Sequence, residues 1–173
     1  EKKAGELYAE LAQKRHVIEE DLKELFPPWE VTEDFYPKAN NKTRGYVKGE
    51  LFVKSKTIYF NPASRVHIQK CLVDKYKWRP KQFTPNGQAK IDETILNSLP
   101  FPEAKRLAEF FMIQKRIGML AEGAGAWLKK VSPDGRLRHR LNSNSCVSSR
   151  MSANSPNLQQ IVSANSPYGK ECR

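Results

Sequence analysis

Between residues 4 and 26 the apolar positions Leu7, Leu11, Ile18, Leu22, Leu25 and Phe26 fall at helical intervals with charged side chains between them, and Pro27-Pro28 follows. The spacing predicts one amphipathic helix whose stripe is ordinary packing surface. No clean period governs residues 27–60. There Asn40-Asn41-Lys42-Thr43-Arg44-Gly45 has the composition of a polar turn, and Thr57-Ile58-Tyr59-Phe60 that of a short β-rich stretch. Asn61-Pro62 predicts a cap and a proline in the first helical turn, opening a helix over about residues 62–76 with Ile68 and Leu72 on one face. Asn61 and Ser64 are accordingly read as capping residues. Thr84-Pro85-Asn86-Gly87 is a turn signal, Asp92 caps a short helix bearing Ile95, Leu96 and Leu99, and Pro100 closes it.

The longest predicted helix runs from about Pro102 to Val131, roughly 45 Å if unbroken. Leu107, Phe110, Phe111, Ile117, Leu120 and Leu128 form its apolar side, and Lys105, Arg106, Lys115 and Arg116 are displaced from it. Gly118, Gly123 and Gly125 weaken its second half, each by about 1 kcal/mol relative to alanine, so a kink or break belongs there. After the turn Ser132-Pro133-Asp134-Gly135 the texture changes. Arg136 to Leu141 alternates basic and apolar residues as a strand does, Asn142 to Ser155 is rich in Ser and Asn, and a domain boundary is expected near residue 132.

Charge sharpens the picture. The net charge of +11 is unevenly spread: residues 1–35 hold 5 basic and 10 acidic side chains, residues 36–173 hold 25 and 9. A surface so basic attracts polyanions through counterion release, which makes nucleic acid the expected partner. An acidic membrane is the competing polyanion, but no stretch joins a strong apolar face to a Lys/Arg-rich one. A solvated surface kept for solubility is the plain alternative. No apolar run approaches the ~20 residues that span a bilayer, and residues 1–6 lack the apolar stretch of a secretory signal, so an intracellular protein is expected. Cys71, Cys146 and Cys172, like His16, His67 and His139, are scattered without metal-ligand spacing, which predicts reduced thiols and no metal site. The chain opens on Glu1 rather than Met, so a processed or excised piece of something longer is expected.

Two blocks near the end carry more specific information: Ser148-Ser149-Arg150-Met151-Ser152-Ala153, then Pro156-Asn157-Leu158-Gln159-Gln160-Ile161. Together they resemble the DNA polymerase I family (family A), where the region reads T-G-R-L-S-S and then P-N-L-Q-N-I-P. Upstream, Phe60-Asn61-Pro62-Ala63-Ser64 with His67-Ile68-Gln69-Lys70, Thr84-Pro85-Asn86-Gly87, and Met112-Ile113-Gln114-Lys115-Arg116-Ile117-Gly118 are similar, in the same order, to landmarks of that family's thumb. Ser166-Pro167-Tyr168-Gly169 ahead of Cys172-Arg173 resembles the phage replicative branch in particular. The resemblance covers about residues 58–173, and the first 57 fit by position as the first thumb helix and a linker. It implies a mainly α fold with a small β element (α+β): a helical thumb over residues 1–132, with a polar linker or insertion at about 27–57, and the first strands of a polymerase palm over residues 133–173. Ser149, Gln160 and Val162 depart from the family's Gly, Asn and Pro. The first departure matters where the backbone needs positive φ, which serine adopts less readily than glycine.

The chemistry of these blocks suits a sequence-tolerant reader of DNA. In the minor groove, purine N3 and pyrimidine O2 place acceptors at nearly the same point for every correct pair, so a donor there tests pair shape. Arg150 is a permanently charged, planar donor, and Asn157 and Gln159 carry amide donors that share a side if the segment is extended. The resemblance implies that Arg150 touches the minor groove near the primer end and that Asn157 and Gln159 contact the duplex there. The plain alternative is a flexible polar linker with one incidental arginine. Lys105, Arg106, Lys115 and Arg116 are candidate phosphate contacts, or a solvated face. Arg136, Arg138 and Arg140 share one face of the expected strand, as backbone contacts or as solvent surface. The recurrence of Ser152-Ala153-Asn154-Ser155-Pro156 as Ser163-Ala164-Asn165-Ser166-Pro167 is read as chance.

Phosphoryl transfer in this family needs two carboxylates holding two Mg²⁺ ions and a fingers lysine. Neither is recognised in this sequence, so no catalytic or metal-binding residue is assigned here. The expected role is that of one part of a phage-type DNA-directed DNA polymerase in the host cytoplasm. It grips primer-template DNA, while another polypeptide or a missing part brings the remaining palm, the fingers and any exonuclease, and Mg²⁺ serves the complete enzyme. Two rivals stay open: a stand-alone basic nucleic-acid-binding accessory protein without catalysis, and an interaction module whose acidic first helix docks a partner.

Overall fold

The computed structural model describes residues 2–41, 43, 45, 47–148 and 150–172. In chain order these residues form α1 (Lys2–Leu25), β1 (Trp29–Phe35), β2 (Phe52–Ile58), α2 (Arg65–Tyr76), α3 (Glu93–Ser98), α4 (Pro102–Ile117), a π-helical turn (Gly118–Glu122), α5 (Trp127–Lys130), β3 (Arg140–Asn142), β4 (Ser152–Asn154) and a 3₁₀ turn (Leu158–Gln160). Helices with two small antiparallel sheets make this the mainly α, α+β chain that the sequence predicts. Lys42, Arg44, Ser149 and Arg173 lie outside the described residues, and with them part of the 40–45 turn and the backbone question at Ser149. The chain divides into two compact units, one of residues 1–19 with 92–173 and one of residues 20–91.

In the second unit, Leu22, Phe26, Phe60, Ile68, Leu72, Ala89 and Ile91 are buried, with the Phe26 and Phe60 rings 4.6 Å apart. The helix predicted from residue 62 begins at Arg65 instead. Asn61 Oδ1 accepts from the Ala63 N–H (2.9 Å), which makes a side-chain turn, and Ser64 Oγ accepts from the His67 N–H (3.4 Å) as the N-cap. Ser64 therefore caps the helix as expected, whereas Asn61 holds the turn ahead of it. Lys77 ends α2 in the left-handed region, where the Lys77 N–H reaches Val73 O (2.9 Å) and the Trp78 N–H reaches Leu72 O (3.3 Å).

Residues 27–57, read as a polar linker or insertion, are folded around a hairpin. β1 and β2 pair antiparallel from Trp29 opposite Ile58 to Phe35 opposite Phe52. Trp29, Val31, Phe35, Phe52 and Ile58 share one face with Lys54, whose Nζ stands 3.3 Å from the centre of the Phe35 ring. The signal was weak for a physical reason. Glu33, Lys54 and Lys56 occupy positions on the apolar face, and a long connection replaces the two-residue turn that would announce a hairpin.

In the first unit, Asp92 Oδ1 accepts from the Ile95 N–H (2.9 Å) to start α3, which packs on α4. Pro102 sits at the start of α4, with Glu103 in its first turn and Lys115 and Arg116 in its last, the charge order that the helix dipole favours. Leu7, Leu11 and Ile18 of α1 are buried, as are Leu96, Leu107, Phe110, Ile113, Ile117 and Leu120. Burying each such side chain is worth about 2 kcal/mol.

The continuous helix expected to residue 131 stops at Ile117, so α4 is about 24 Å long rather than 45 Å. The Gly123 N–H bonds to Gly118 O (2.8 Å), five residues back, and this closes a π turn. A Cβ on Gly123 would stand 2.5 Å from that same oxygen, so glycine is what allows the turn to close. The strand expected over residues 136–141 is likewise shorter. Residues 132–135 turn, with the Gly135 N–H on Ser132 O (2.8 Å), Val131 bridges to Leu137, and only Arg140–Asn142 enters the β3–β4 ladder.

Candidate nucleic-acid interface

The residues singled out for DNA contact fall on two elements of the first unit: the limb formed by residues 136–161, and helix α4. In the limb, β3 and β4 pair through Arg140 with Asn154, Leu141 with Ala153 and Asn142 with Ser152. The loop between them is held by Asn142 Oδ1, which accepts from the Asn144 N–H (3.1 Å), and by a contact between the Ser145 and Ser152 hydroxyls. Arg150 stands just before β4 and is exposed, and among the described residues it has neither a hydrogen-bond nor an ion-pair partner. Ala153 and Pro156 are buried, so the strand between the two motifs is fixed while Arg150 points to solvent.

Asn157 and Gln159 do not lie on an extended segment. Asn157 Oδ1 accepts from the Gln159 N–H (3.1 Å) and caps the 3₁₀ turn of Leu158–Gln160. Residues two apart on such a turn do not share a side as they would on a strand, which corrects the geometry expected from the sequence. Both side chains are exposed. Because the Asn157 carbonyl is engaged, its amide group is oriented as a free donor pair. Arg150 and Asn157 are seven residues apart, so their Cα atoms lie within about 25 Å of each other along the chain.

On α4 the four cations differ. Lys105 and Lys115 are exposed, and Arg106 is exposed with Nη1 on Glu109 Oε2 (2.8 Å). Arg116 is only 9% exposed, and its Nε donates to the carbonyl of Pro167 (3.4 Å). Lys105 and Arg116 are about three turns apart, hence on one side of the helix, yet the segment around Pro167 covers only the second. The three arginines expected on one strand face also separate. Arg138 is paired with Asp134, which holds that carboxyl below the usual carboxylate range, whereas Arg136 and Arg140 are exposed.

Sequence reasoning missed the residues that hold the end of the chain. Lys14 donates to Glu10 Oε1 (2.6 Å) and to the Tyr168 hydroxyl (3.1 Å), with its Nζ 5.1 Å from the centre of the Tyr168 ring. These bonds keep the ammonium charged well beyond its ordinary range. Arg15, on the next position, pairs with Glu122 (2.9 Å). Lys14 and Tyr168 are 154 residues apart, and no local pattern marks such a pair. Among the described residues no three His, Cys, Asp or Glu side chains gather as a metal site, and no helix is long and apolar enough to cross a membrane.

Residues 38–173 match the model of DNA polymerase family A. A DNA-directed DNA polymerase of Enterobacteria phage T3 is 35% identical over an alignment that takes in 97% of this chain and 30% of the relative. One of Escherichia phage T7 is 34% identical with the same coverage. The chain thus spans about a third of the length of the curated relatives it matches. Among solved structures, the POL domain of Pol1 from M. smegmatis, in complex with DNA primer-template and dNTP, superposes with a TM-score of 0.65 at 19% identity, over 99% of this chain and 24% of that one.

Proposed function

The chain belongs to DNA polymerase family A, and from that premise we propose that it is the thumb (residues 1–132) and the opening palm segment (residues 133–173) of a phage-type DNA-directed DNA polymerase that acts in the host cytoplasm. Its task is to grip primer-template DNA. The observation that carries this reading is Arg150, a permanent cation turned to solvent without a partner among the described residues, just before the fixed strand β4 and seven residues ahead of the cap formed by Asn157. A guanidinium and an oriented carboxamide so placed can donate to the acceptors that every correct base pair shows in the minor groove. Gln159 contributes a second exposed amide. Lys115, with Lys105 and Arg106, serves the phosphates, which fixes position rather than sequence. The carboxylates that hold Mg²⁺ and the fingers belong to the rest of the polymerase, and no step of metal chemistry is assigned to this chain.

The test is binding of the 173-residue chain to a primer-template duplex across salt concentrations, beside an assay for nucleotide incorporation. Expected are an affinity that falls steeply with salt, a loss on Arg150→Ala, and no incorporation without the remaining polypeptide. Incorporation by the chain alone would refute the division of labour, and duplex affinity that ignores Arg150 would refute the groove contact. The accessory-protein reading would be favoured if the chain bound any polyanion equally well with no gain at a primer end.

A further inference from the structure

The segment that follows the 3₁₀ turn is more tightly determined than its composition suggests. The Ser166 N–H bonds to Ser163 O (2.9 Å), the Gly169 N–H to Ser166 O (2.8 Å) and the Cys172 N–H to Tyr168 O (3.2 Å), which gives three linked turns. Tyr168 sits at φ +58°, a conformation that costs a bulky side chain on the order of 1 kcal/mol or more and persists only where the surroundings impose it. The surroundings here are two helices, each holding one of two successive residues. Arg116 of α4 binds the Pro167 carbonyl, and Lys14 of α1 binds the Tyr168 hydroxyl and lies against its ring. Gly169 leaves no room for adjustment, since a Cβ there would stand 1.9 Å from Ser163 O. Cys172 closes the segment as a buried residue.

Resting on the DNA-gripping role, we propose that Arg116, together with Lys14, is a positioning residue: it clamps the Pro167-Tyr168 turn and so sets the placement of Asn157 and Gln159, and it does not neutralise a DNA phosphate. Gln159 lies only eight residues before Pro167, and Ile161 and Val162 between them are half-buried, so freedom at the turn passes to the carboxamides. A mostly buried guanidinium engaged with a backbone carbonyl is poorly placed to release counterions from DNA, whereas its exposed neighbour Lys115 is well placed.

Four variants of the 173-residue chain separate the roles: Arg116→Gln, Arg116→Lys, Lys14→Met and Lys115→Gln. Two readouts are needed, the amide exchange of Gln159, Gly169 and Cys172 without DNA, and the salt dependence of primer-template affinity. Expected for Arg116→Gln is exchange accelerated at all three amides and affinity lowered about tenfold at every salt concentration, with an unchanged slope. Arg116→Lys should follow it, because a lysine keeps the charge but not the Nε geometry, and Lys14→Met should move in the same direction by less. Lys115→Gln should flatten the slope by about 0.9 and leave exchange alone. A flattened slope with unchanged exchange in Arg116→Gln would make Arg116 a phosphate ligand and overturn the proposal, as would wild-type behaviour of Arg116→Lys. Lys14→Met carries the exchange test should Arg116→Gln not fold. Failure of the unaltered chain to bind duplex would sink the DNA-gripping role, and it would be seen separately from the exchange result.

Discussion

Residues 152–156 and 163–167 have the same sequence, Ser-Ala-Asn-Ser-Pro, and different structures. In the first copy Ser152–Asn154 is strand β4, paired with β3, and Ser155 turns at φ +57° so that Pro156 is buried. In the second copy Ser163 and Ser166 close a turn, the Ser163 hydroxyl accepts from the Asn165 N–H (3.4 Å), and Pro167 offers its carbonyl to Arg116. Five identical residues thus take their conformation from what lies opposite, a strand in one case and two helices in the other. The consequences diverge as well. The first copy lies between two outward-facing groups, Arg150 and Asn157, and displays them. The second leads into Tyr168, which is turned toward Lys14, and holds the chain in place.

The sharpest way to break this contrast is to disturb the holding copy alone. Gly169→Ala puts a methyl group into backbone atoms of Ser163 and Ser166, which cannot yield as a side-chain end would. A loss of about 3 kcal/mol is expected, read as a lowered midpoint in thermal or urea unfolding. Gly135→Ala is the control. That glycine has φ +74° but open space around it, so only the conformational term of about 1 kcal/mol applies. Equal losses at the two positions would mean that the turn is not closed as described.

The displaying copy should fail in the opposite manner. Arg150→Ala removes an exposed side chain and should leave unfolding unchanged within about 0.5 kcal/mol. In the complete polymerase it should slow extension about tenfold, most sharply from a mismatched end, where the remaining donors no longer find their acceptors. Extension rates unchanged by the substitution on both matched and mismatched ends would remove Arg150 from the groove. Asn157 divides the two functions within one residue. Asn157→Ala loses the cap on the Gln159 N–H and should cost about 1 kcal/mol of stability. Asn157→Asp keeps that acceptor and the stability but exchanges the amide donor for a negative charge, so its loss of duplex affinity should exceed that of the alanine variant.

Much of this arrangement was legible because it is local. The stripe of α1, the Ser64 and Asp92 caps, the turns at residues 84–87 and 132–135 and the motif around Arg150 each announce themselves within a few residues. What failed was set by distance or by competition. The hairpin of residues 29–58 was hidden because its apolar face carries Glu33, Lys54 and Lys56, and the end of α4 because helical spacing continues past Gly118 while the backbone widens there. The extended segment that would set Asn157 and Gln159 on one side is a 3₁₀ turn instead, capped by one of the two side chains being placed. The Lys14–Tyr168 and Arg116–Pro167 ties join residues far apart in the chain, and a single sequence holds no signal for either.

Thiol chemistry gives a gentler test of the same contrast, because Cys146 lies in the displaying limb and Cys172 in the holding turn. Cys146 is exposed, whereas Cys172 is buried and its thiol is pushed up by that burial. In the second unit Cys71 is raised by burial to about 11, so at pH 8 it holds on the order of a thousandth of its population as thiolate. Iodoacetamide at pH 8 should therefore label the exposed Cys146 much faster than Cys71 or Cys172, as read by peptide mass spectrometry. Gly169→Ala should bring Cys172 toward the rate of Cys146, and an unaffected Cys172 would place the damage elsewhere.

The smallest effect concerns the turn that leads into the displaying limb. Arg138, and then the Arg136 N–H, stabilise the ionised Asp134 carboxyl and lower its pKa in the folded chain. A carboxyl lower in the folded than in the unfolded state stabilises the fold above its unfolded value and ceases to do so as pH falls through the folded one. The melting-temperature gap between the unaltered chain and Asp134→Asn should accordingly be present at pH 7 and close as pH is taken below about 4. The gap is small because both groups are exposed, and the pair is screened by salt. Duplex affinity moves the other way. Asp134→Asn releases Arg138 beside the exposed Arg136 and Arg140, so binding at pH 7 should tighten slightly and the salt slope should steepen. Weaker binding in that variant would mean that the pair orients the limb, which would extend the holding role from the second Ser-Ala-Asn-Ser-Pro copy to the approach to the first.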